Sequence, residues 1–171
     1  MYHLKYFAEE DRLLISVDVA PAQEYAMMVT RRLLRQVLEF LSANFAKMKA
    51  EALGRDPSVQ NTVLNFEHRH AVDEATATGD ARKDEQHRSL IAPPLLVREI
   101  KVNPKPDGGA TLSFYDGKQY LTVDLTAQRV HVFIAAVLDI AATSGWDFPP
   151  IATWLDRAAG ADPGPAGRVM H

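Results

Sequence analysis

One pattern occurs twice in this chain and constrains its fold more than any other feature: short alternating apolar runs, then a threonine, then a long amphipathic run. In the first copy, Tyr2–Phe7 is rich in aromatics and ends at the polar cluster Glu9-Glu10-Asp11. Leu13, Ile15, Val17 and Val19 then alternate with Arg12, Leu14, Ser16 and Asp18, the period of two that a half-buried strand shows. A turn is expected at Pro21. After it, Tyr25, Met27 and Val29 alternate with Glu24, Ala26 and Met28. Thr30 is of a type that caps a helix by accepting from its first amides. Leu34, Val37, Leu38, Leu41, Phe45 and Met48 follow at three- and four-residue steps, which makes one apolar stripe. Gly54 is the expected stop.

The second copy begins with a strand expected over residues 96–102 and a loop over 104–109. Ala110, Leu112 and Phe114 alternate, Asp116-Gly117 makes a hairpin turn because glycine accepts positive φ, and Leu121, Val123 and Leu125 alternate again. Thr126 then precedes Val130, Phe133, Ile134, Val137 and Ala141 at helical spacing. Overlaying Thr30 on Thr126 brings Val37, Leu38 and Leu41 onto Phe133, Ile134 and Val137. The expectation is an internal duplication: an α+β fold of tandem βββα halves, residues 1–54 and 95–145. Their antiparallel strands form two sheets or one, covered on one face by long helices at 30–53 and 126–144.

Between the halves, residues 55–94 read as a helix followed by a flexible linker. Asp56-Pro57-Ser58 starts the helix, and Val59, Val63, Phe66, His70 and Ala71 are the expected stripe, ending near Ala75. Residues 76–89 carry almost no apolar side chains, so burial cannot offset their ordering entropy. Residues 146–159 are expected to dock as a tail with a short helix at 151–159, anchored by Trp154 and Leu155. That makes one domain over 1–159, followed by a disordered tail over 160–171.

Composition removes several chemistries. The 171 residues contain no cysteine, which excludes disulfides, thiolate metal sites and a cysteine nucleophile. With 19 Lys+Arg against 22 Asp+Glu the formal net charge is −3, so the chain as a whole has no basic footprint for nucleic acid. No signal peptide or membrane-length apolar run is found, and a cytoplasmic location is expected. No G-x-S-x-G elbow or P-loop is present. Gly108-Gly109 precedes a strand, as a hairpin loop would. No cofactor is expected.

Arg12-Leu13-Leu14, Val29-Thr30-Arg31-Arg32, Phe66-Glu67-His68 and Trp146-Asp147-Phe148-Pro149 together resemble an uncharacterised family of small proteobacterial proteins. The resemblance covers most of the chain and implies no activity. The tandem plan also resembles, at the level of fold, the PUR-repeat and Whirly families of single-strand binders. Those have a fourth strand per repeat that the alternation here does not provide.

Two clusters carry possible chemistry. Glu67 and His70 are three apart, which puts a carboxylate and an imidazole on one helix face, as in di-iron bundles. A second such pair is missing, and the bland alternative is a solvated helix face. Arg31, Arg32 and Arg35 open a helix at its positive end, where acidic residues are favoured. With Arg12 they form a candidate site for an anion or a nucleic-acid backbone, or else they pair with Glu24, Asp18 or the Glu9-Glu10-Asp11 turn. Taken together, the sequence favours a non-enzymatic protein-interaction or assembly module that forms a homodimer. Single-stranded nucleic-acid binding on an open sheet face is the first alternative, and metal binding by Glu67 and His70 the second.

Overall fold

In the computed structural model, which describes residues 2–20, 23–53, 56–77 and 89–155, strands β1 (Tyr2–Phe7), β2 (Arg12–Ala20) and β3 (Gln23–Thr30) form an antiparallel meander. Its register places Leu4, Ile15 and Met27 in one row and Tyr6, Leu13 and Val29 in the next. Alternation therefore gathers the apolar side chains on one face, where Leu13, Met27 and Val29 are completely buried. Helix α1 (Arg31–Leu53) follows directly, with the Thr30 hydroxyl accepting from Leu33 N at 3.5 Å. The turn expected at Pro21, the stop at Gly54, the linker from residue 78 to 88 and the tail beyond residue 155 lie outside the described residues.

Helix α2 (Pro57–Ala77) starts at Asp56, whose carboxylate accepts from Ser58 N at 2.9 Å and Ser58 Oγ at 2.8 Å. Those bonds hold the Asp56 pKa below the ordinary carboxylate value. The buried positions of α2 are Leu64, Ala71 and Ala75, which keeps Ala71 of the expected stripe and corrects the rest. Phe66 is 68% exposed, and Val59 and His70 are also exposed. Leu64 and Ala75, not Val59, Phe66 and His70, therefore join Ala71 on the inward side of the helix, which lies against α1 and α3.

The chain then returns to the first sheet. β4 (Ser89–Leu90) and β5 (Leu95–Leu96) both pair with β3 in parallel, Glu24 with Leu90 and Met28 with Leu96. Pro93 and Pro94 separate them; proline lacks the amide a continuous ladder needs. The expectation of purely antiparallel three-stranded sheets is corrected here, since this edge strand runs parallel. The next two amides change sheets: Val97 N donates to Met28 O at 3.1 Å and Arg98 N to Tyr115 O at 2.8 Å. β6 (Glu99–Pro104), β7 (Ala110–Tyr115) and β8 (Tyr120–Leu125) complete a second, antiparallel meander. Its 116–119 turn is fixed by Asp116, whose Oδ1 accepts from Lys118 N and Gln119 N at 2.7 and 2.9 Å, with Gly117 at φ 106°.

Helix α3 (Ala127–Thr143) is capped by Thr126, which accepts from Arg129 N at 3.3 Å. It ends through Gly145 at φ 71°, across which Trp146 N donates to Ala141 O at 2.9 Å. This left-handed exit turns Trp146 inward, and a 3-10 turn at Thr153–Leu155 brings in Trp154; the two indoles are 5% and 2% exposed. α1 packs on β3 and on β6 of the second sheet, while α3 packs on β8 and on β1 of the first. α2 lies against α1, α3 and the 3-10 turn. Side chains from both sheets and all three helices belong to one core, so the fold is a mixed α+β architecture with a shared interior. No described helix is long and apolar enough to cross a membrane.

Candidate functional site

Among the described residues, three of the four arginines expected at an anion site are each positioned beside an acid. Arg31 Nε lies 3.7 Å from Asp11, Arg12 Nε 3.8 Å from Glu10, and Arg35 Nε 3.5 Å from Glu39 one turn on. Arg32 is exposed. Asp11, in the left-handed region at φ 50°, also accepts from Tyr6 OH at 3.1 Å and from Trp146 Nε1. Its carboxylate therefore ties the β1–β2 turn to α1 and to the segment after α3. Surface ion pairs of this kind stabilise by about 0–1 kcal/mol, and here they answer most of the positive charge. The strand aromatics, whose ring faces are what single-strand binders stack bases on, are divided as well. Tyr2 meets Phe133 and Tyr6 meets Trp146 edge-on in the interior, whereas Tyr115 and Tyr120 stack on each other, centroids 4.4 Å apart, on the second sheet.

The outer faces of the two sheets differ in chemistry. On the second sheet, the register aligns Glu99, Tyr115 and Tyr120, then Lys101, Ser113 and Thr122, then Asn103, Thr111 and Asp124. These side chains bond within the face: Lys101 to Tyr120 OH at 3.1 Å, Ser113 with Thr122 at 3.2 Å, and Lys105 to Asp124 at 2.8 Å. The Lys105 and Thr111 bonds lower the Asp124 pKa. On the first sheet, one row runs Lys5, Leu14, Met28, Leu96. Leu96 is 55% exposed, Leu90 on the same edge 42%, and Phe7 37%.

Glu67 and His70 do not come together as metal ligands. Glu67 accepts from Lys49 of α1 at 2.5 Å, and His70 Nδ1 lies 4.0 Å from Glu74 on its own helix. No group of three His, Asp or Glu side chains suited to a metal ion occurs among the described residues. Both residues do line a cleft of about 480 Å³ between the three helices. Phe45, Met48 and Lys49 come from α1; Phe66, Glu67, His70, Ala71 and Glu74 from α2; Ala127, Gln128 and His131 from α3. The β6–β7 turn closes one end with Asp107 and Gly108, whose left-handed φ of 85° brings the backbone against Ala127.

His131 forms the floor of this cleft. Only 5% of it is exposed, its ring stacks on Phe45 at 4.3 Å, and its Nδ1 lies 3.3 Å from His68 Nδ1. Burial, and then the neighbouring His68 and Lys49, push its pKa down to about 4, so the ring is neutral at pH 7. Trp154 packs edge-on to Phe45, His68 and His131, while its carbonyl accepts from Asn65 Nδ2 at 2.8 Å. Sequence reasoning singled out Glu67 and His70 but missed Lys49, His131, Gln128 and Asp107. The available signal was the place of His131 beside Val130, inside the apolar stripe of its helix. Comparison with protein-family models, with curated proteins and with solved structures returns no match for this chain.

Proposed function

We propose that this chain is a non-enzymatic interaction and assembly module that pairs with a second copy of itself through the first sheet. The carrying observation is the contrast between the two outer faces. The second sheet satisfies its polar side chains internally, while the first leaves Phe7 exposed on one edge strand and Leu90 and Leu96 exposed on the opposite edge, neither edge having a further partner strand among the described residues. Exposed apolar side chains next to an unpaired edge are a template for association.

The same reading takes the chain as two related βββα units. In support, α1 buries Leu34, Val37, Leu38, Leu41 and Phe45, at 4, 7, 8, 11 and 15 residues after Thr30, and α3 buries Val130, Phe133, Ile134, Val137 and Ala141 at the same steps after Thr126. Each helix also meets the last strand of its own unit and the first strand of the other. Sedimentation equilibrium across a hundredfold concentration range tests the association. The expected mass rises from one chain towards two, and Leu96→Lys holds it at one chain without lowering the melting temperature. A wild-type mass of one chain at every concentration rejects the reading.

A further inference from the structure

We propose that the open edge of β6, with the groove it forms against α1, binds the carboxyl-terminal end of another protein chain in extended form, antiparallel to β6. This edge belongs to the second sheet and is separate from the surface assigned to association. The bonding pattern of the strand comes first. Lys105 N donates to Gly109 O at 2.8 Å, and the same register sets Asn103 opposite Thr111, Lys101 opposite Ser113 and Glu99 opposite Tyr115. Bonded and non-bonded pairs alternate along an antiparallel ladder, so these odd-numbered residues bond to β7. Ile100 and Val102 turn their N–H and C=O groups the other way. Pro104 falls on the same outer side, where its missing amide costs no ladder bond. No strand pairs with that side of β6 among the described residues.

Beside this edge lies a groove of about 310 Å³, lined by Leu33, Gln36, Val37 and Phe40 of α1 and by Ile100 and Val102. Phe40 is 46% exposed. Apolar surface thus stands next to unpaired backbone groups. Recognition by strand addition uses both, main-chain bonds for affinity and pockets for alternate side chains.

The fold determines which end of the occupant lies where. Val97 N donates to Met28 O and Arg98 N to Tyr115 O, so β3 and β7 lie on opposite sides of the chain as it passes from β5 into β6. The open side of β6 therefore continues the line of β3, which ends at Thr30 where α1 begins. A strand added there runs up against the start of α1 and has to terminate. Because β3 runs parallel to β5, an antiparallel occupant meets this barrier with its carboxyl end and a parallel one with its amino end. Charge selects the first. Arg32, Gln36 and Phe40 follow at four-residue steps along one line of α1, so Arg32 extends the groove wall to that end. Arg32 is exposed and has no ion pair among the described residues, and the positive end of the helix adds to its charge. The groove lining carries no carboxylate, while Glu39 and Glu99 are engaged by Arg35 at 3.5 Å and Lys101 at 3.8 Å.

The test is a titration followed by amide chemical shifts, using an acetylated Thr-Val-Thr-Val peptide as the free acid beside the same peptide ending in a carboxamide. The acid is expected to saturate with a Kd below about 1 mM and to shift Phe40, Ile100 and Val102. The carboxamide is expected to bind at least about fivefold more weakly, since a charge-assisted bond is lost. Arg32→Gln brings the acid down to the affinity of the carboxamide and leaves the carboxamide unchanged, whereas Phe40→Ser weakens both. Wild-type melting temperatures in the two variants separate these effects from misfolding. Equal affinity for the two peptides in the wild type, shifts that map to β1 or β5, or no saturation below about 10 mM would each overturn the assignment. So would shifts of Ile100 and Val102 that follow protein concentration without peptide, which give this edge to a second copy.

Discussion

Protonating His131 costs more in the folded chain than in the unfolded one. Its ring is stacked on Phe45 and shielded by Trp154, with His68 of α2 and the Lys49–Glu67 pair of α1 and α2 around it. The folded pKa of about 4 lies below the ordinary 6.5, so between those values the unfolded chain binds more protons. Stability is therefore unaffected above pH 6.5, falls as the pH drops through 6.5, and stops falling from this source near pH 4. The full shift corresponds to at most about 3 kcal/mol. Urea unfolding at half-unit pH steps is expected to show this slope in the wild type and to lose it in His131→Phe, which retains an aromatic ring against Phe45. An unchanged slope in the variant would place the proton uptake elsewhere. This histidine was legible as a buried residue from its apolar neighbours, but not as a partner of His68. That pairing joins residues 63 positions apart and depends on the rotation of α2.

Helices α1 and α3 were readable because each combines a capping threonine with a regular apolar stripe, and the two caps make the same bond to the amide three residues on. Thr30→Ala and Thr126→Ala are each expected to destabilise the fold by about 1 kcal/mol, measured by chemical denaturation, with Thr30→Val giving a loss similar to Thr30→Ala because the hydroxyl is what matters. A loss at one cap and none at the other would remove the equivalence of the two helix starts. Helix α2 was placed correctly but in the wrong rotation. The expected stripe included Ala71, which is buried, but Val59, Val63 and Phe66 drew it away from Leu64 and Ala75, and the larger apolar side chains outweigh a buried alanine in any reading of local period. The β4 and β5 pairings were not legible either. Two-residue strands broken by prolines carry no period, and they exist only because β3 presents a free edge to them.

At the scale of the molecule, the exchange of helices between sheets decides what folds. α1 needs β6 to cover its stripe, and β1 needs α3. A fragment ending at Leu53 is expected to give a poorly dispersed amide spectrum, and to regain dispersion when mixed with the remainder of the chain. A well-dispersed spectrum from the fragment alone would mean that the halves are self-sufficient. The sequence carried the class of architecture, the two long helices and most strands, because these follow from local period and capping. It did not carry the cleft, whose walls come from three helices and a turn that only the tertiary packing brings within reach of one another. The passage from Leu95 to Pro104 has a mechanical consequence. Because Val97 and Arg98 donate to different sheets, a torque on either sheet reaches the other within one peptide unit. The body is stiff along that line, and any swivel between its halves must begin by breaking one of these two bonds.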